Sequence, residues 1–558
     1  MASTSKRAFI YQIFTRTFGN KNLNCKKDGS YAENGAGKMN DINAQVLRQI
    51  RNLGITHIWY TGILRHASAT DYSAYGIPKQ HPSVVKGKAG SPYAITDYYD
   101  IDPDLAENVF QRKEEFRALL QRTHDAGMKV IIDFVPNHVA REYCSMYTPQ
   151  GVTGLGETDD PSKHFDAQNN FYYCPGEAFE PCFDKGDYVE FPAKCTGNDC
   201  FNNHPGVNDW YETVKLNYGI DYTGGHVEHF TPIPSTWKKM TNILLYWANE
   251  GVDGFRCDMA EMVPTAFWAY ASRQLKAAFP ETILIGEVYN PALYRDYIAN
   301  GFDYLYDKVG MYDCLRGVIC QQRAASDISG QWQAQDDIRQ HMLYFLENHD
   351  EQRIASDFFC SDGRKAIPAM MVSAWLRTNP IMIYAGQEFG ERGMDQEGFS
   401  GRDGRSTIFD YWTTQSIYNG YFHRSSLNQG QLLLETSYKQ ILHIAQEEKA
   451  IQEGEMFDLM YVNPESVHFN PHTQYAFLRK KGDELLLIVV NFAPSSCQIE
   501  VTIPDHAFDF FHIHEGIYAG KELTSGKNRK DKWTKNGRIT LQVNGYSGEI
   551  IKLKVSTT

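Results

Sequence analysis

The segment GFRCDMAEM sets Arg256 and Asp258 two residues apart at the end of an apolar run. Residues two apart on a strand share a face, so a guanidinium and a carboxylate would both point into the interior. A buried charge is costly unless it is paired, which makes such a pair either a structural ion pair or a working site. Other apolar runs end the same way. Asp133 closes VIIDF, Glu287 closes LIGE and Asp350 closes LENHD, with His138 and His349 close by. Carboxylates that share one cavity repel each other, so several of them are hard to explain by structure alone. Arg256 should hold Asp258 ionised and oriented. Negative neighbours should raise the pKa of Glu287 and keep it protonated. One ionised and one protonated carboxyl can cleave a glycosidic bond with retention: the first attacks the anomeric carbon, the second protonates the leaving oxygen. Asp133 is assigned to bonding within the fold.

These residues need a scaffold that brings distant strand ends together. Eight short apolar, β-rich runs recur: FIYQIFTRTF, THIWYTGI, MKVIIDFVPNH, VDGFRCD, TILIGEVY, FDYLYD, MLYFLENHD and PIMIYAGQE. Helical stretches such as KEEFRALLQRTHDAG and TAFWAYASRQLKAAF lie between them. This alternation predicts an α/β fold, a (β/α)8 TIM barrel, whose reactive groups gather at the C-terminal ends of the strands. The barrel is expected over 1–138 and 231–454. Residues 139–230 are rich in Gly, Asn, Asp, Cys and aromatics, and read as a loop-rich insert after the third strand. From 455 to 558 the alternation of apolar and polar residues predicts a C-terminal antiparallel β-sandwich.

The chain has 558 residues, with 55 Lys plus Arg against 68 Asp plus Glu, a net charge of −13. That balance argues against a nucleic-acid partner. No apolar run is long enough to span a bilayer. The start lacks the apolar core of a signal peptide, so either the protein is cytosolic or a signal has been cut away. The 11 cysteines bear on that choice. Cys195 and Cys200 flank a Gly-Asn-Asp turn, and their spacing predicts a disulfide and a periplasmic or extracellular setting. No C-x-x-C pair occurs, which argues against a zinc ribbon. The glycine-rich GAGKM has Met39 where a phosphate loop needs Ser or Thr. The Asn-rich stretch from Asn20 to Asn24 could hold a calcium ion.

DFVPNH, GFRCDMAEM, GEVYN and FLENHDEQR resemble, in order, the four successive motifs of glycoside hydrolase family 13, the α-amylase family. SPYAITDYYDIDP resembles a further segment of that family, and VKLNYG its fifth motif. The resemblance covers the whole chain. It implies Asp258 as nucleophile, Glu287 as acid/base and Asp350 as the carboxylate that holds sugar hydroxyls and stabilises the transition state. It also implies substrate contacts from Tyr93, His138, Arg256, His349 and Arg353. The substrate would be an α-glucan or maltooligosaccharide, with no cofactor for catalysis and no catalytic metal.

The chain also departs from the family pattern. Glu261 and Met262 stand where many endo-acting relatives have Lys-His. Lys215 stands where many have an Asp that, with an Asn matching Asn137, helps bind calcium between barrel and insert. The VKLN spelling is closer to the neopullulanase-like and cyclomaltodextrinase-like branches. The expectation is therefore a retaining hydrolase of α-1,4 bonds, with Lys215 in place of calcium. A transglycosylase with the same residues differs only in what attacks the intermediate. A non-catalytic glucan-binding homologue is disfavoured because all three carboxylates are present.

Overall fold

The structure is a computed structural model that describes residues 7–555. Eight parallel strands close into a barrel: Phe9–Phe14, His57–Thr61, Lys129–Phe134, Gly254–Cys257, Ile283–Gly286, Tyr304–Tyr306, Met342–Phe345 and Ile381–Tyr384. Each strand pairs in parallel with the next, and the first closes on the eighth, with Phe9 opposite Ile381. All eight lie where the apolar runs predicted them. Their side chains alternate between two cores. Ile10, Trp59, Ile131, Tyr306, Leu343 and Met382 fill the barrel interior, while Ile58, Phe255 and Leu305 face the surrounding helices. Cys257, next to Asp258, belongs to the outer core, as expected for a strand neighbour that points the other way.

Local signals explain how each turn is made. The helix Ala44–Leu53 starts at Asn43, whose side chain accepts from the amides of Gln45 and Val46. It stops at Gly54, which adopts the left-handed conformation that glycine takes without a Cβ penalty. Its buried face is Val46, Leu47, Ile50 and Leu53, at helical spacing. Strand two follows at once.

The insert is rooted by a short antiparallel pair, His138–Ala140 against Thr213–Lys215. It has its own small core of Tyr172, Cys174, Phe179, Tyr188 and Cys195. The C-terminal unit begins at Glu455. It holds a six-stranded antiparallel sheet and a separate two-stranded sheet, Cys497–Ile503 with Gly537–Val543. Two of its strands, Gly516–Glu522 and Asn528–Trp533, carry exposed charged residues and were not evident from the sequence.

The expected Cys195–Cys200 disulfide is not formed, and every cysteine is a free thiol. The turn itself is present: Thr196 bridges to Cys200, and Asp199 takes a left-handed conformation. Cys200 therefore sits opposite Thr196 rather than opposite Cys195. The Cys195 thiol turns into the insert core, where its sulfur is 3.9 Å from that of Cys174. The cysteine-based ground for an oxidising compartment falls with the disulfide.

Candidate active site

Arg256 is the centre of the arrangement. Its Nη1 donates to Asp258 Oδ1 at 2.6 Å, and its Nη2 lies 2.8 Å from Glu287 Oε2. Nε donates to the Tyr306 hydroxyl at 3.3 Å. The guanidinium also sits over the rings of Trp59 and Tyr93, 5.3 and 5.4 Å from their centroids. It is completely buried. Such a cation is stable only because carboxylates surround it.

Strand geometry places those carboxylates. Asp258 lies just beyond strand four, where its N–H donates to Phe134 of strand three. Glu287 follows strand five, and Asp350 follows strand seven. Together with Tyr93, His138 and Tyr289 they line a cleft of about 280 Å³ at the C-terminal end of the barrel. Asp133 stays below it. Its Oδ2 accepts from the Gly62 amide at 3.1 Å, which ties the ends of strands two and three together. That matches the structural assignment.

One guanidinium faces several carboxyls, so they cannot all ionise cheaply. Burial pushes Asp133 up to about 6. Desolvation at the cleft, then Glu287, pushes the part-exposed Asp350 carboxyl up to about 7. Asp258 is the notable case. Burial raises its carboxyl, Arg256 opposes this and Glu287 raises it again, leaving it well above the usual range. The expectation that Arg256 simply holds it low neglected the cost of desolvating a strand-end carboxyl inside a barrel.

The histidines are neutral. Burial, then nearby Lys215, lowers His138 to about 3. Burial, then Arg256, lowers His349 well below its ordinary value. The Gln12 amide donates to His349 Nδ1 at 2.8 Å, so the neutral ring carries its proton on Nε2. That atom is 2.5 Å from the Tyr93 hydroxyl and 3.1 Å from Asp350 Oδ2. The His138 ring packs against Trp210. Its close approach to the insert depends on Gly197, since a Cβ there would come within 2.8 Å of His138 Cβ.

Arg353 corrects the sequence reading. It is not part of the cleft lining. It is buried, with Nη1 on Glu347 Oε2 at 2.8 Å and on the Ala385 carbonyl at 3.0 Å, and its guanidinium stacks over Tyr384. Its partner Glu347 lies upstream in the same motif, so it stiffens the loop that carries His349 and Asp350.

The sequence reading missed the groups that hold Glu287. The Met259 N–H donates to Glu287 Oε2 at 2.8 Å, and the Tyr289 hydroxyl donates to Oε1 at 2.5 Å. Met259 is left-handed, with φ of 44°, a strained conformation for this residue type. Glu261, one of the departures from the family pattern, accepts the amides of Tyr289 and Asn290 at 2.7 and 2.8 Å. Only the proximity of Tyr289 to Glu287 in GEVYN could have signalled this. Trp210 and Phe409 also line the cleft, from stretches that have no periodic pattern.

Lys215 is buried, with its ammonium 2.5 Å from Asn137 Oδ1 and 2.6 Å from Asp199 Oδ1. In the Asn20–Asn24 loop, the side-chain oxygens of Asn20 and Asn22 accept backbone amides. Their nitrogens donate to carbonyls.

An eight-stranded parallel barrel with three carboxyls around one arginine in a strand-end cleft defines the class: a barrel enzyme equipped to hydrolyse glycosidic bonds. The model of the α-amylase catalytic domain matches residues 12–452, and the chain belongs to the α-amylase family. It is 26% identical over 389 residues to α-amylase MalA of Haloarcula japonica, covering 69% of this chain and 44% of that one. It is 20% identical over 562 residues to neopullulanase 2 of Thermoactinomyces vulgaris, covering 98% and 78%. That relative, like a cyclomaltodextrinase of Thermoanaerobacter pseudethanolicus, supports the neopullulanase-like branch. The chain thus spans under half the length of one such relative and most of another. Its fold is similar to that of a noncanonic maltogenic α-amylase, AmyB, from Thermotoga neapolitana. The TM-score is 0.63 at 20% identity, covering 98% of this chain and 99% of that one.

Proposed function

We propose that the protein hydrolyses α-1,4-glucosidic bonds in starch-derived glucans or maltooligosaccharides by double displacement. Asp258 attacks the anomeric carbon. Glu287 protonates the leaving oxygen and then takes a proton from the incoming water. Asp350 holds sugar hydroxyls. Tyr93, His138 and His349 border the sugar at the cleavage point, where neutral imidazoles can donate without adding charge. The observation that carries this reading is the Arg256 guanidinium shared between Asp258 and Glu287. It draws both carboxyls to one guanidinium, within 2.8 Å of its nitrogens, and retaining enzymes set their two carboxyls roughly 5 Å apart. Against the burial that raises Asp258, the guanidinium favours the ionised form that Asp258 needs in order to attack.

Lys215, we further propose, takes the place of a divalent cation between barrel and insert. Its ammonium bonds Asn137 of the barrel and Asp199 of the insert.

Incubation with maltoheptaose, with separation of the products, tests the main reading. Shorter sugars released first as the α-anomer by NMR are expected. Release of the β-anomer first refutes double displacement. Longer sugars would identify a transglycosylase, and an unchanged substrate would identify a binding homologue.

A further inference from the structure

The two oxygens of Glu287 are held by chemically different partners. Oε2 faces the Met259 N–H at 2.8 Å and Arg256 Nη2 at 2.8 Å. A backbone amide and a guanidinium can only donate, so a proton on Oε2 would point at other protons. Among the described residues, the one hydrogen-bond partner of Oε1 is the Tyr289 hydroxyl, at 2.5 Å. A hydroxyl can donate or accept. We infer that Tyr289 is the positioning residue of the acid/base: it confines the transferable proton of Glu287 to Oε1 and exchanges its own role as that proton leaves and returns. This inference rests on Glu287 being the acid/base.

Before substrate binds, a protonated Oε1 donates to the Tyr289 hydroxyl; on the bound sugar its O–H donates to the glycosidic oxygen instead, and the hydroxyl turns away. As the C–O bond breaks, that proton passes to the leaving oxygen. Tyr289 then donates to the new carboxylate. When water attacks the glycosyl–Asp258 ester, Oε1 takes the water proton and Asp258 leaves as carboxylate. No other proton donor is needed. Burial raises the phenol of Tyr289 well above its ordinary value, so it stays protonated and available as a donor throughout.

The local fold is built for this. Glu261 fixes the Tyr289 backbone through its amide, so the hydroxyl is aimed from a rigid base. The left-handed turn at Met259 directs the opposing N–H at Oε2. The charged and titratable groups that face Glu287 are Arg256 and Asp258 from strand four, Tyr306 from strand six, Asp350 from strand seven, and Tyr289 itself. Of these, only Tyr289 hydrogen-bonds Oε1.

The test is Tyr289→Phe, which keeps the ring and the Glu261 contact and removes one hydroxyl. Loss of a donor to the carboxylate disfavours its ionised form. The basic limb of the kcat/KM profile on maltoheptaose should then move up by about one pH unit, and kcat near neutral pH should fall by about tenfold. A purely structural role would lower activity at every pH without moving the limb. An unmoved limb in a variant with wild-type melting temperature overturns the inference. Should Tyr289→Phe melt early, the limb is read below its melting temperature, and an unmoved limb in the folded variant also overturns the inference. Glu287→Gln serves as the separate control. If it remains fully active, the acid/base assignment fails. If it is inactive while the Tyr289→Phe limb stays fixed, only the Tyr289 inference fails.

Discussion

Replacing Lys215 with methionine removes an ammonium from the joint between barrel and insert while keeping most of the stem. The carbonyl of Asn137, which is fully buried, loses a charged donor 2.5 Å away. An unsatisfied buried acceptor costs about 1–3 kcal/mol. Asp199 also loses its partner, but its side chain is 40% exposed and rehydrates, so that half adds less than about 1 kcal/mol. Relief of the desolvated ammonium works the other way, since burial alone lowers the Lys215 pKa. The net expectation is a loss of about 1–2 kcal/mol, or roughly 1–2 °C in melting temperature for a chain of 558 residues. Calorimetry and urea unfolding read it. The wild type should melt at the same temperature in millimolar calcium and in EDTA. Lys215→Asp, which restores a carboxylate beside Asn137, should melt early in EDTA and recover with calcium. A wild type destabilised by EDTA, or a methionine variant as stable as wild type, refutes the reasoning.

Three other outcomes follow from the same geometry. Asp258→Asn should cut turnover of maltoheptaose at least a thousandfold, about 4 kcal/mol of barrier, with circular dichroism unchanged; substantial residual turnover excludes Asp258 as nucleophile. Asp350 has a folded pKa raised to about 7, above its unfolded value near 3.9, so ionising it costs folded-state stability as pH rises between those values. Asp350→Asn should therefore raise the melting temperature at pH 8 relative to wild type and leave it unchanged near pH 3. The gain is small, because the side chain is 41% exposed and solvent screens it, and its absence contradicts the assigned environment. Alkylation of the unfolded, unreduced protein should label all eleven cysteines by mass spectrometry; a Cys195–Cys200 pair protected from alkylation would contradict the fold of that turn.

The sequence by itself determined the barrel, the order of its strands and the identity of the residues at their ends. These are local properties. An apolar run of strand length, a helical period and a capping residue are set by neighbours within a few positions, and alternation then decides that Arg256 faces inward while Cys257 faces out. The acidic residues at the ends of strands four, five and seven converge because a closed parallel barrel brings every C-terminal end to one rim. Tertiary structure decided everything that depends on a sum over distant partners. Arg353 closes the motif that carries Asp350, but Glu347 and Tyr384 hold it in the core, away from the cleft. Cys195 lies five residues from Cys200, yet one step of strand register turns its thiol to Cys174. The proton balance at Asp258 was legible only in part, because Arg256 is a sequence neighbour whereas the burial and the Glu287 charge that outweigh it arrive from elsewhere in the fold. The grip on Glu287 by Met259 and Tyr289 needs two loops, from strands four and five, to meet within hydrogen-bond distance. Spacing along one chain does not encode such a meeting, and only the closed barrel brings it about.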